Sequence, residues 1–200
     1  MTKNWMRTAL AVTLSAGLVL SATPALADVQ SKDDPPSVQD RTDRLVAGVD
    51  EAKKVFDGRT AADAGASARD VNDFAVGFVA AGGTVTNVAV AQSEVDRLRG
   101  NAAAMRACSG RNSADVTGLQ ANVYLDSCNA SRIVAGLAGG AGVAALVGII
   151  TAATGIGGAA GGIAAALLSI GSAAVAYCGS NGRGIGFHVL PVGPPWSRSQ

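Results

Sequence analysis

Three cysteines, Cys108, Cys128 and Cys178, and a single histidine, His188, are the residues of this 200-residue chain best equipped for chemistry. In an oxidising compartment three cysteines allow one intramolecular bridge with one thiol left over, or an intermolecular link. Cys108 with Cys128 would staple a local excursion of the chain; Cys128 with Cys178 would close the base of a long apolar stretch. The first pairing is preferred. No CxxC spacing exists, so a bridge reads as stabilising rather than redox-active. One histidine and no GxSxG nucleophile elbow leave a histidine-centred catalytic network without its parts, and most multi-residue metal sites are removed as well. The adjacent carboxylates Asp33-Asp34 and Asp50-Glu51 read as solvated pairs. Gly182, Gly184 and Gly186 imitate part of a nucleotide-binding glycine pattern, but no strand is expected before them and the third spacing is wrong. Ile185, Phe187 and Val189 alternate like a short strand interrupted by Pro191 and Gly193-Pro194-Pro195, which puts His188 on the opposite side as an ordinary surface residue. The chain therefore reads as a non-enzyme, with no cofactor, no metal and no small-molecule substrate inferred.

The most unusual segment is 133–182, which carries no charged side chain between Arg132 and Arg183. Broken at 154–158, it yields two apolar halves of about the 20 residues that span a bilayer, and the expectation is a helical hairpin. Small residues recur every fourth position: Gly136, Gly140, Ala144 and Gly148 in the first half, Gly157, Gly161, Ala165, Ser169 and Ala173 in the second. Residues at i and i+4 stack on one helix face, so each half presents a ridge almost without side chains, the logic of small-xxx-small packing. Three readings follow. As an ordinary membrane anchor the first half is marginal, with six Ala and five Gly against three Ile, three Val and two Leu, and its flanking arginines do not obey the positive-inside rule. As a buried core it would sit at the centre of a helical bundle. As a conditional element it would be soluble while covered and membrane-seeking once uncovered.

The elements around this segment are read as mostly helical. Lys3 and Arg7, an apolar run over 8–20 and the small-x-small site Ala25-Leu26-Ala27 make residues 1–27 a secretory leader with cleavage after Ala27, the alternative being an uncleaved anchor. A proline-bearing linker occupies 28–36. Ser37 with Asp40 is a start signal, and Leu45, Val49, Ala52 and Phe56 keep helical spacing up to Gly58. Val71, Phe74, Ala75 and Phe78 share one face of a second helix that stops at Gly82-Gly83. A third helix spans about 84–107 on Val85, Val88, Val95, Leu98, Ala102 and Met105, although 84–90 alone would pass for a strand. Within 108–128, Val116, Leu119, Val123 and Tyr124 fit a short helix. Without the leader the chain has 14 basic and 15 acidic residues. All 15 acids lie in 28–127 with 11 bases, and 128–200 has only Arg132, Arg183 and Arg198. So few bases, with no aromatic interleaving, leave a nucleic-acid partner without support. Trp196 beside Arg198 would suit either a lipid headgroup boundary or a cap on the bundle, and Arg132 and Arg183 flank the apolar segment as further interfacial candidates.

The segment from about Cys128 to Gly186, with its small-residue ridges and acid-free composition, resembles the glycine-zipper or hydrophobic-hairpin segments of secreted bacteriocin-like peptides and toxins. The ending Gly182-Arg183-Gly184-Ile185-Gly186-Phe187, with Trp196 and Ser199-Gln200, is similar to the ends of small secreted actinobacterial proteins of unassigned function. The resemblance implies a secreted, membrane-active effector. The long acidic first half and the absence of a lysine cluster depart from it. The resulting expectation is a mainly α protein: leader 1–27, linker 28–36, acidic helical region 37–127, glycine-zipper hairpin 128–180, and an extended tail 181–200. Its function would be insertion into a target bilayer or self-association through the hairpin. The alternative is a non-catalytic cell-surface or interaction protein whose hairpin is buried core or an anchor.

Overall fold

The computed structural model describes residues 36–100, 107–190 and 194–200. The leader, nearly all of the linker, the far end of the third helix at 101–106, and Pro191 and Gly193 lie outside the described residues. Helix α1 (Val38–Val46) starts where the sequence places it: Ser37 Oγ accepts from the Asp40 amide at 3.1 Å while the Asp40 carboxylate accepts from the Ser37 amide, so aspartate completes a capping box usually made by Glu or Gln. The helix does not run on to Gly58. Gly48 brings the chain so close to the Asp57 carbonyl that a Cβ there would lie 2.5 Å from it, and strands β1 (Val49–Asp50) and β2 (Val55–Asp57) form an antiparallel pair with Phe56 fully buried. Asp57 then caps α2 (Gly58–Asp63), Ser67 caps α3 (Ala68–Ala80), and β3 (Thr84–Thr86) returns parallel to β2 to complete a three-stranded mixed sheet. The strand alternative over 84–90 thus holds for its first residues, and α4 (Gln92–Arg99) keeps only the later part of the expected third helix, with Val95 and Leu98 buried.

The segment between the bridged cysteines is a β-hairpin, not a helix. Strands β4 (Ser113–Thr117) and β5 (Gln120–Leu125) turn at Gly118-Leu119, with Gly118 at φ +63°, the positive φ that a two-residue hairpin turn requires of its first residue. Strands β6 (Ile185–Val189) and β7 (Trp196–Ser199) join them in a four-stranded antiparallel sheet of order β4-β5-β6-β7. The protein is therefore mixed α and β, and the mainly α expectation fails. Helical spacing at Val116, Leu119 and Val123 was a coincidence of a period-two pattern in which Ala121, Val123 and Leu125 face inward.

The apolar segment forms an insertion between the paired strands β5 and β6, and it is not a two-helix hairpin. It folds as four helices, α5 (Ser127–Ala138), α6 (Val143–Thr154), α7 (Ala160–Ile170) and α8 (Ser172–Gly179). Glycine supplies the extra breaks, with φ +70° at Gly140 and +82° at Gly171, conformations that a Cβ makes costly. A 12-residue helix is about 18 Å long, short of a hydrocarbon core of about 30 Å. No single helix among the described residues is long and apolar enough to cross a membrane; α7 and α8 together meet that length and composition, but they are bent by 98°.

Helix α6 is the spine of the core, with residues 144–152 all buried. It crosses α3 at backbone contact, because each helix offers a glycine to the other. A Cβ at Gly148 would meet the Phe74 carbonyl and the Phe78 amide, and one at Gly77 would meet the Ala145 carbonyl. Phe56, Phe74 and Phe78 cluster beside this crossing, with ring centroids 4.5 to 6.1 Å apart. Arg41 of α1 pairs through two nitrogens with the buried Asp70 of α3, and hydrogen bonding from Arg41 holds that carboxyl below its usual range against the opposing effect of burial.

Candidate functional site

Antiparallel register places every second residue of the four-stranded sheet on one face. Val123, Leu125, Ile185 and Phe187 turn inward and are buried. On the opposite face two rows run across the strands: Asp115, Asn122, His188 and Trp196 in one, Ser113, Tyr124, Gly186 and Arg198 in the next. These rows bring seven polar and aromatic side chains from four strands onto one face.

The first row is a hydrogen-bonded chain. Asn122 Nδ2 donates to Asp115 Oδ1 at 2.6 Å and to Thr117 Oγ1 at 3.2 Å. A carboxylate only accepts, so this bond sets the amide orientation and turns Asn122 Oδ1 toward His188 Nδ1, 2.7 Å away. The ring is therefore held with Nδ1 protonated and a lone pair on Nε2, and that Nε2 is buried without a partner among the described residues. Gln120 donates to Asn122 Oδ1 and lies 2.9 Å from the same ring nitrogen. Trp196 stacks on the imidazole with centroids 5.1 Å apart, and Tyr124 meets it edge-on at 6.1 Å. His188 is thus only 4% exposed, a correction to its reading as a surface residue: its strand is interior to the sheet and its neighbours' rings close over it. Burial pushes its pKa down, the nearby Arg198 adds to this, and Asp115 opposes both.

The second row opens beside it. Gly186 has no side chain, and the place a Cβ would take is 3.3 Å from the Tyr124 ring and 3.5 Å from His188 Nε2. The guanidinium of Arg111 lies 3.9 Å above the Tyr124 ring, and Arg198 lies exposed on the other side of Gly186. Arg111, Tyr124, Arg198, Ser199 and Gln200 line an open depression of about 410 Å³. Two devices fix Arg111 in place. The Cys108–Cys128 disulfide ties its loop to the start of α5, and the Gln200 side chain clamps its backbone, accepting from Arg111 N at 3.0 Å while donating to the carbonyls of Arg111, Leu125 and Ile185. Cys178 is the free thiol, half-buried, with Sγ 3.1 Å from Ser197 Oγ.

The other sequence-derived candidates are scattered by the fold. Gly136 and Gly148 face Leu98 and Leu146, and α3, respectively; Gly157 and Gly161 face Val46 and Thr42 of α1. Ala144 is buried, Ala165 is half-buried, Ser169 and Ala173 are exposed, and Gly140 lies in a turn with open space around it. Arg132 on α5 donates to Asn129 Oδ1 at 2.7 Å, and burial pulls its pKa down, with Arg99 adding to that and Asp126 opposing it. Arg183 is exposed before β6, so only Trp196 and Arg198 of the interfacial group share a site. Arg111, Asp115, Gln120 and Asn122 are not among the sequence-derived candidates, and Tyr124 enters there only as part of a short helix, although the alternation over 120–125 after Gly118 carries the signal for a strand.

Among the described residues no hydroxyl or thiol reaches His188 Nε2 as a nucleophile to be activated. The one cluster of metal-type ligands among the described residues, Cys108, Asp126 and Cys128, has its sulfurs committed to each other. Searched against family models, curated proteins and solved structures, the chain matches none of them.

Proposed function

We propose that the chain acts as a secreted, non-catalytic binding protein whose charge-free segment is its core and whose outer sheet face is its working surface. The observation that carries this reading is α6: every residue from 144 to 152 is buried, and its backbone is locked to α3 through Gly77 and Gly148. Releasing it to a bilayer would expose the Phe56, Phe74 and Phe78 cluster, at about 1.5 to 3 kcal/mol for each large apolar side chain uncovered. Export fits a disulfide and the leader-like residues 1–27.

A second reading, membrane-active effector, draws on α7 and α8. They carry no charge, together have the length of a span, and leave Leu168, Ala173 and Tyr177 exposed. Dye release from liposomes separates the two. The intact protein is expected to leave vesicles sealed, and release by intact protein would replace the buried-core reading with the membrane one. Release only after proteolysis between the halves would assign membrane activity to a processed form.

A further inference from the structure

We infer that the depression between Arg111 and Arg198 binds a small oxyanion, the carboxylate or phosphate group of a low-molecular-weight ligand. Two guanidinium groups line the same open space with Tyr124, Ser199 and Gln200, and their charge is barely compensated. Arg198 forms no ion pair among the described residues; Arg111 has one, a contact with Asp115 at 4.0 Å. No Asp or Glu occurs anywhere in 128–200, so no other side-chain carboxylate comes from the strands β6 and β7 that form this side of the sheet. Like charges held around one depression with a single carboxylate at 4.0 Å to offset them repel each other, and an oxyanion reduces that repulsion.

The donors are also prepared. The Arg111 guanidinium lies over the Tyr124 ring, a cation–π contact that positions its charge at the depression, and a guanidinium is the group that forms paired bonds with planar oxyanions. The disulfide and the Gln200 clamp restrain its backbone, and Arg198 stands on a paired strand, so little backbone freedom remains to be lost on binding. Gly186 keeps the space between Tyr124 and Arg198 free of a side chain. Trp196 lies two residues from Arg198 on the same strand face, about 7 Å along the chain, with one side stacked on His188 and the residue 41% exposed. A ring attached to the oxyanion can therefore rest on Trp196 while its charge reaches the arginines. Nothing in the sequence pointed to a small ligand, because the two arginines lie 87 positions apart and meet only through the sheet.

The inference rests on the reading of the chain as a binding protein. Liposome release tests the buried core and the following titration tests the ligand, so either can fail alone. The full chain is titrated calorimetrically at near-physiological salt with inorganic phosphate, glucuronate and benzoate, with glucose and benzyl alcohol as uncharged controls. At least one anion should bind saturably, with Kd of about 1 mM or tighter, and neither control should. Arg198→Gln and Arg111→Gln are each expected to weaken binding about tenfold or more, since each removes a charge-assisted bond, while Arg59→Gln on α2 changes it by less than about twofold. Arg111→Lys should fall between, because an ammonium keeps the charge and loses the planar fork. Thermal unfolding of each variant checks that the fold is kept. Phosphate binding alone assigns the site to phosphate groups; benzoate or glucuronate binding alone assigns it to carboxylates. Absence of saturable binding to all three anions overturns the proposal, and so does an equal loss in Arg59→Gln, which would reduce the effect to net charge.

Discussion

Substituting Gly148 by alanine sets two effects of opposite sign against each other. In a helix interior alanine is favoured over glycine by about 1 kcal/mol, so an unpacked site would gain stability. At Gly148 the new Cβ would lie 2.9 Å from the Phe78 amide nitrogen and nearer still to the Phe74 carbonyl, and both are backbone atoms of α3 that no rotamer change can move. The helices must separate, and the packing of buried Leu146, Ile149 and Ile150 loosens with them. Overpacking costs about 1 to 3 kcal/mol, and contact with backbone puts this site at the top of that range or beyond. The net expectation is a loss of about 2 kcal/mol or more for Gly148→Ala, read as a fall in melting temperature of about 4 to 8 °C or more, and a larger loss for Gly148→Leu. Gly77→Ala should behave alike, and the double variant should cost less than the two losses together, because helices already separated accommodate the second methyl. Gly162→Ala is the control: it is exposed in α7 with open space around it, and should be neutral or stabilised by up to about 1 kcal/mol. Chemical denaturation measures all five variants. A Gly148→Ala protein as stable as the parent would refute the backbone crossing.

Replacing Cys108 and Cys128 by serine together should cost about 3 kcal/mol, the loop-entropy value for a separation of 20 residues, and thiol counting on the unreduced, unfolded parent should find one thiol, Cys178. Stability should also fall with acidity in two stages. His188 is held neutral by burial, so its unfolded form takes up a proton first as pH drops below about 6.5, and the parent should lose stability there while His188→Gln shows a flatter profile in that window. Asp70 has its carboxyl held below the usual range by Arg41, so its contribution persists above about pH 4 and disappears as pH falls toward the folded-state value; Asp70→Asn should remove that lower step. Equal acid profiles for parent and variants, in urea titrations at stepped pH, would count against both assignments.

Local chemistry made part of this protein legible from its residues. Ser37 and Asp40 mark a helix start because the cap bonds lie within one turn, and Val71, Phe74, Ala75 and Phe78 define the buried face of α3 because an apolar stripe at helical spacing has one way to be hidden. The alternation at Ile185, Phe187 and Val189 marks β6, and proximity in sequence favoured the Cys108–Cys128 bridge. The four-residue recurrence of small side chains likewise announced close packing. What the ridges pack against was decided elsewhere. Gly148 meets α3 and Gly161 meets α1, partners 70 or more positions away, because a ridge encodes how near a neighbour can come and not which neighbour arrives. The same holds for the sheet. Asn122 and His188 are separated by 66 positions, and a histidine in an alternating run is surface or interior according to whether strands pair on both its sides. Here β5 and β7 flank it, Trp196 and Tyr124 close over it, and Arg111 and Arg198 line one depression beside it, an arrangement that exists only once four intervening helices have folded and brought β6 back to β5.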